Sequence, residues 1–394
     1  MATNKLLLKG KEVWFIFNHS SPGNDFLRGY IDARSQLRAI FDQNKITLVD
    51  KDDEGKEDIA RQLAERAINS PQVIAVVGHL ESSVMRAVAD TYLRSDMPVM
   101  MPVPTSPGLI MQSNNSPRKN FIRMPPNDVR QAHLASSFLI SGNVKRIMIV
   151  QDLDNFIYSQ SLGKLLTQEI RKYKASHADG PTIVPGISIG GDSPRQLPVD
   201  AIEASDPDAI YFPGTTSNAI TFLDGLLSYA RFVNAGRPIP LILLTDGVLS
   251  ADFLKQVSVL PPKLYLTFQL PDKYPNSNGA STSNYCVSSY KFSFCPYGVD
   301  AVFLIKKTIA DLTTDTRSIK AKFYENVTRE DILDYFNRDL KTAHQSMLGE
   351  FGRYEFDKEG ENGGFGFKLL EPVRERERER PAARYWKVFP FDEE

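Results

Sequence analysis

Cysteine is nearly missing from this sequence: Cys286 and Cys295 are the only two in 394 residues. Two thiols cannot make a disulfide framework, so the fold must rest on apolar cores. Both lie in one local segment. One bridge across a short loop in an oxidising compartment and a pair of free, partly buried thiols are both open readings. In neither is a bridge expected to be essential, and reduction should leave the melting temperature nearly unchanged.

Long apolar runs are missing too. No segment has the length or apolarity of a membrane span, so direct membrane insertion is not expected. Near the start, Leu6–Leu8 is the one apolar run, too short for a signal-peptide core. The expectation is a cytoplasmic chain if Met1 is the native start, and a periplasmic or extracytoplasmic one if an upstream leader is missing. Charge of one sign is also lacking. Lys and Arg number 47 against 48 Asp and Glu, a formal net charge of −1. That balance argues against nucleic acid as a partner. The run Arg374–Arg380 (RERERER) alternates sign and cancels itself, as a solvated loop or frayed helix does.

Catalytic and metal signatures are lacking as well. Five histidines (His19, His79, His133, His177, His344) have no carboxylate or cysteine at metal-ligand spacing. There is no HExxH, no P-loop, no GxGxxG after a strand and no GxSxG. No catalytic residue, metal ligand or cofactor is assigned, and no enzymatic activity is expected.

What is there is a regular alternation. The central stretch Val73–Leu109 reads VIAVVGHLESSVMRAVADTYLRSDMPVMMPVPTSPGL. An apolar β-branched run ends at Gly78, and Ser82 and Ser83 open a helical pattern. A second apolar run, Val99–Val103, stops at Pro104 and Thr105. This is one βαβ unit with a polar loop after each strand. Strand patterns at Val13–Asn18 and Ile46–Val49, with helices over 24–44 and 56–70, make the first part βαβαβαβ, a doubly wound sheet. From Asp128 the alternation repeats, with strands at Arg146–Val150, Thr182–Ile189, Ala209–Phe212, Leu241–Leu244 and Lys263–Leu270. Asp272–Ser283 is a polar surface loop, helices cover Val299–Leu312 and about Arg329–Asp339, and Arg384–Phe389 is a last strand. Length and pattern together indicate two lobes.

In an open parallel sheet, ligands sit beyond the carboxyl ends of the strands, and a helix N-terminus there offers unpaired N–H groups. The polar residues so placed are Asn18, His19, Ser82, Ser83 and Thr105 in the first part, and Asp154, Asn155, Phe156, Thr215, Thr216 and Asp246 in the second. An amino acid needs hydroxyl and N–H donors for its carboxylate and a carboxylate for its ammonium. Ser82, Thr105 and Asp246 supply that set. Plainer roles stand beside these: helix caps for Ser82, Ser83, Asp152 and Asp154, turn residues for Thr105 and Asp246, loop satisfaction for Asn18 and His19, core for Phe156.

GHLESSV followed by MPVPTSPGL resembles the first-lobe ligand site of the type I periplasmic binding proteins, in particular the leucine/isoleucine/valine-binding family. The wider likeness runs from Val13 to about Phe389. It implies an α/β fold of two doubly wound parallel-sheet lobes joined by a multi-strand hinge. Hinge crossings near Pro125, Leu270 and Gly349 would divide the chain into lobe one, 11–125 plus 271–348, and lobe two, 126–270 plus 349–394. The segment after Gly349 resembles the family's closing hairpin.

Residue by residue, Ser82 matches the hydroxyl after the family's GHL-type turn, and Thr105 the threonine before its Pro-x-Leu. Asp246 sits where amino-acid binders place an acid for the ligand ammonium. Phe156 falls at a position that often carries a stacking tyrosine. Thr215 falls at a second aromatic position, a departure from the branched-chain binders. Glu81 stands where the prototype has a cysteine, so the prototype's lobe-one disulfide is absent. The candidate ligand-binding set is therefore Ser82, Ser83, Thr105, Phe156, Thr215, Asp246 and Asn18. The implied function is capture of a small polar ligand, an amino acid or a relative of one, by lobe closure, with an ABC permease as partner. The alternative is a ligand-sensing domain with a signalling partner.

Overall fold

The computed structural model describes residues 10–19, 23–112, 116–191, 199–232, 238–250, 253–257, 259–271, 285–286, 293–314, 327–342, 346–373 and 385–391. The polar stretch Asp272–Ser283 and the run Arg374–Arg380 lie outside the described residues.

Two sheets organise the chain. The first contains β1 (Lys11–Phe17), β2 (Ile46–Asp52), β3 (Val73–Gly78), β4 (Val99–Met101) and β5 (Phe121–Arg123) in the order β2-β1-β3-β4-β5. Every neighbouring pair is parallel. All six residues of β3 are buried. Covered on both faces, such a strand reads as a continuous apolar run rather than an alternation. Helices α2 (Glu57–Asn69) and α3 (Ser82–Arg94) cover one face. In α2, Ala60, Leu63, Ala64 and Ala67 are buried, one stripe at helical spacing. They pack with Trp14, Ile16 and Val76 of the sheet and Val88 and Tyr92 of α3. Helix α1 (Gly23–Gln43) lies on the other face, where Phe26 and Tyr30 meet Phe15 and Phe17.

The second sheet opens with helix α4 (Asp128–Ser141). It contains β6 (Arg146–Asp152), β7 (Thr182–Ile189), β8 (Ala209–Phe212), β9 (Leu241–Leu244) and β10 (Leu264–Gln269). Its parallel part runs β7-β6-β8-β9-β10, the same winding as the first sheet. Helices α4 and α5 (Phe156–Ser176) cover one face through Leu139, Leu162 and Leu166. Helix α6 (Val199–Ser205) packs beside β7, and α7 (Thr216–Phe232) and α8 (Phe253–Gln256) complete the other face. The expected two-lobed α/β architecture is present.

Three segments pass between the sheets. The first joins β5 to α4. The second leaves β10 and reaches α9 (Cys295–Thr314), which packs along α1. That approach is close. A Cβ on Gly29 would stand 2.0 Å from the Cys295 carbonyl oxygen, and one on Gly298 2.2 Å from that of Phe26, so only glycine fits at either position. Helix α10 (Arg329–Asp334), started by a Thr328–Asp331 capping box, continues as a π-helical segment, Tyr335–Thr342. The third passage holds β11 (Met347–Leu348) and β12 (Arg353–Tyr354), before β13 (Phe367–Val373) joins the second sheet antiparallel to β10 and β14 (Tyr385–Val388) joins antiparallel to β13.

One expectation is corrected. The segment after Gly349 turns back on itself through an antiparallel Phe356–Asn362 bridge, but its two strands do not pair with each other: β12 pairs with β11, whereas β13 pairs with β10 and β14. The backbone of β13 finds both partners in the large sheet and leaves none for β12. Of the two open readings of the cysteines, the bridge is the one present: Cys286 and Cys295 are joined in a disulfide.

The third passage is pinned by Asp300 of α9. Its carboxylate accepts from the Phe351 N–H at 2.9 Å, the Gly352 N–H at 2.9 Å and the Tyr354 hydroxyl at 2.7 Å. Burial raises this carboxyl to about 7 despite those donors. Asp300→Ala would leave three buried donors without an acceptor and should cost about 3 kcal/mol of stability. Denaturant unfolding checks this, and a loss below about 0.5 kcal/mol, the ordinary range for an inert surface change, would show that the pin carries no weight.

Candidate functional site

A strand order that reverses leaves a crevice, because neighbouring crossovers depart on opposite faces. In the first sheet the reversal falls between β1 and β3, in the second between β6 and β8. The loops at these points face one another. Asn18 follows β1, Leu80, Glu81 and Ser82 follow β3, and Val103, Pro104 and Thr105 follow β4. Across from them stand Asn155 and Tyr158 after β6, Thr215 after β8, and Asp246 and Gly247 after β9. Phe294, just ahead of α9, closes one side. The cleft between these walls holds ≈ 580 Å³ of non-atom space, part of it open to solvent.

The turn out of β3 is set by Gly78. Its φ is +144°, and a Cβ there would stand 2.0 Å from the Ile16 carbonyl oxygen. Only glycine fits that approach of β1. The next residue, His79, is fully buried, with Nδ1 at 2.6 Å from Asp53 and Nε2 at 3.0 Å from the Tyr92 hydroxyl. Asp53 and Tyr92 thus bracket the ring, one at each nitrogen. Held on both edges, the ring fixes the loop that carries Glu81 and Ser82.

Glu81 is the N-cap residue of α3, yet its side chain makes no capping hydrogen bond. The first-turn amides of α3 thus face the cleft with no side-chain cap, beside the buried Ser82 and Thr105. Uncapped first-turn amides are donors of the kind a carboxylate accepts from. Thr105 is placed by its own carbonyl, which accepts the first amide of α4 at 2.9 Å. The fully buried Arg123 holds the same loop, donating to the carbonyls of Pro104 at 2.8 Å and Ser106 at 2.7 Å.

The opposite wall is acidic. Asp246 is 3 % exposed, and its Oδ1 accepts from the Tyr158 hydroxyl at 2.6 Å and from Gln131 Nε2 at 2.7 Å. Burial raises its carboxyl, and these two donors oppose that rise. Burial, and then the Asp246 charge, push neighbouring Asp128 far above the usual range. Two buried carboxyls are driven apart in this way, with Asp246 the better hydrogen-bonded of the pair. Asp152 is saturated by other means. It accepts from the amide and hydroxyl of Thr215, both at 2.7 Å, from Asn218 at 2.8 Å and from the Asp154 amide at 2.9 Å.

Five of the seven candidate residues line the cleft: Asn18, Ser82, Thr105, Thr215 and Asp246. The Thr215 hydroxyl proton is committed to Asp152, which leaves that oxygen only its acceptor lone pairs for a ligand. Ser83 is instead a bridge between the lobes. Its hydroxyl donates to Asn155 Oδ1 at 2.8 Å and accepts the Ile157 amide at 3.4 Å. Phe156 is 39 % exposed and is not part of the lining. The aromatic ring reaching the cleft from α5 belongs to Tyr158. Two residues apart lie about 200° around a helix, so if one faces in, the other faces out. Glu81 and Phe294 are further lining residues that the sequence reading did not select. A lone carboxylate between a strand's end and a helix N-terminus was the available signal for Glu81. Among the described residues, no group of three or more His, Cys, Asp or Glu side chains is placed to hold a metal ion.

Two similarly wound α/β lobes face each other across a cleft lined by polar and apolar side chains, a two-lobed α/β fold. The chain belongs to the periplasmic binding protein family, whose model matches residues 21–229. It is 26 % identical over 199 residues to an amino acid binding protein of Pseudomonas aeruginosa, a match covering 50 % of each. The chain thus spans about half the length of the curated relative it matches. Two solved structures share the fold. A leucine-binding protein of Thermotoga maritima has a TM-score of 0.71 at 18 % identity, covering 95 % of this chain and 98 % of that one. A branched-chain amino acid transporter substrate-binding protein of Streptococcus pneumoniae, in complex with isoleucine, has a TM-score of 0.68 at 16 % identity, covering 97 % and 99 %.

Ser83 ties the lobes together by two hydrogen bonds, one to Asn155 and a longer one from the Ile157 amide. Their removal in Ser83→Ala should cost about 1 kcal/mol, a roughly fivefold shift from closed toward open. Small-angle scattering should then give a larger radius of gyration for the variant than for the parent chain. Equal radii would show that this contact does not hold the lobes.

Proposed function

We propose that this chain captures a free α-amino acid between its lobes and presents the closed form to an ABC-type permease for uptake. One observation carries the reading: a cleft with uncapped helix amides, Ser82 and Thr105 on one wall and the buried Asp246 on the other. The first wall suits a carboxylate and the second an ammonium, the two ends that every α-amino acid shares. No bond is made or broken; ligand contacts to both walls favour the closed state over the open one. The moving bodies are 11–125 plus 271–348 and 126–270 plus 349–394, with Asn18, Ser82 and Thr105 carried by one and Thr215 and Asp246 by the other. An extracytoplasmic site of action is favoured by the Cys286–Cys295 disulfide, which needs an oxidising compartment. The amino-acid reading also draws on the Pseudomonas relative and on the isoleucine-bound Streptococcus structure.

Titration calorimetry of the purified chain against the L-amino acids tests this reading. With the tightest binder, Asp246→Ala should cost on the order of 3–5 kcal/mol, because an ammonium removed from water loses its buried partner. Ser82→Ala should cost less, on the order of 1–3 kcal/mol, because the α3 amides remain. The order of the two losses is the test. Equal affinity of Asp246→Ala and the parent chain would mean that the ligand places no ammonium there.

A further inference from the structure

Resting on the amino-acid reading, we propose that Glu81 makes the cleft selective for an amino acid whose side chain carries a positive charge, an ammonium or a guanidinium. Glu81 has already been freed from the task its position would assign it, since it does not cap α3. Its carboxyl turns into the cleft instead. The side-chain hydrogen bond it makes there is a long one, from Asn18 Nδ2 at 3.5 Å. A Cβ on Gly55 would come within 2.9 Å of its Oε1, so the β2–α2 loop backs the carboxyl and holds it toward the cleft.

Three further carboxyls act on it. Asp53 of the β2–α2 loop is engaged by His79, and Asp152 and Asp154 across the cleft are held by Thr215, Asn218 and the Gly191 amide. Asp246 shares the cleft lining with Glu81, and among the described residues that lining includes no Lys, Arg or His. Burial first, and then Asp53, Asp152 and Asp154, push the Glu81 carboxyl up to about 7, while the Asn18 bond opposes them. A cation delivered to this place would reverse that balance, since an opposite charge at close range favours the ionised form. Leu80, Val103 and Phe294 line the same cleft and suit the methylene stem of such a side chain. Asp246 is then left to the α-ammonium, and two acids serve the two cationic ends of one ligand.

The test titrates the purified chain with L-lysine, L-arginine, L-leucine and L-glutamine at pH 8 and pH 6, beside the variant Glu81→Gln. The melting temperature of the variant is measured first and should match the parent. Lysine or arginine should bind tightest, and Glu81→Gln should weaken that binding about 30-fold at pH 8, with leucine changed less than about twofold. Glu81 is ionised above about 7 and takes up a proton below it. Affinity for the cationic ligands should therefore fall from pH 8 to pH 6 in the parent and be nearly flat in the variant. Tightest binding of leucine or glutamine, or an unchanged preference in Glu81→Gln, overturns the proposal and leaves the amino-acid reading standing. Failure of all four and of every other amino acid to bind overturns both.

Discussion

Where β1 and β3 part in the first sheet, and β6 and β8 in the second, the crossover helices leave on opposite faces and the strand ends stand open. Both sheets are wound in one order, so both present their loops and their helix N-termini from the carboxyl edge. The three passages between the lobes turn these edges toward each other. Every candidate ligand contact depends on that geometry. Without the reversal, Ser82 would be an ordinary first-turn serine and Asp246 an ordinary turn residue.

Buried polar groups then hold the edges in place. Arg123 carries the Thr105 loop on two carbonyls and forms an ion pair with Glu361 at 3.0 Å, linking that loop to the third passage. Asp300 fastens the same passage to α9, and Gln131 ties Asp246 to Thr267 of β10. Such networks are costly when half satisfied, and they are built here around the passages between the lobes. The third passage also buries Met347, Phe351, Phe356 and Phe365, so the directional bonds add to apolar packing there.

Much of the fold was legible because the strands are continuous β-branched runs bounded by Gly, Pro or acidic turns. Val73–Gly78, Ala209–Phe212 and Leu241–Leu244 are strands as read. Ends were less legible. The strand β2 runs on through Lys51 and Asp52, past an expected end at Val49, because those residues stay paired with Ile16 and Phe17. The pairing is a tertiary contact that no local pattern reveals. A similar error displaced the aromatic of the cleft. The α5 helix begins at Phe156, and its turn sets Phe156 outward and Tyr158 inward. Glu81 was read only as a replacement for a cysteine, because its failure to cap α3 is visible in three dimensions and not in the residue order. The partition of β12 and β13 between two ladders was hidden for the same reason.

The proposed function holds a ligand at both ends, its carboxylate on the α3 amides with Ser82 and Thr105 and its ammonium on Asp246. A crystal structure of the chain grown with its tightest-binding L-amino acid measures this most directly. The α-carboxylate is expected within hydrogen-bond distance of Ser82 and Thr105, and the α-ammonium within that distance of the Asp246 carboxylate. A ligand bound outside the cleft, or one lying the other way round with its carboxylate toward Asp246, would contradict it.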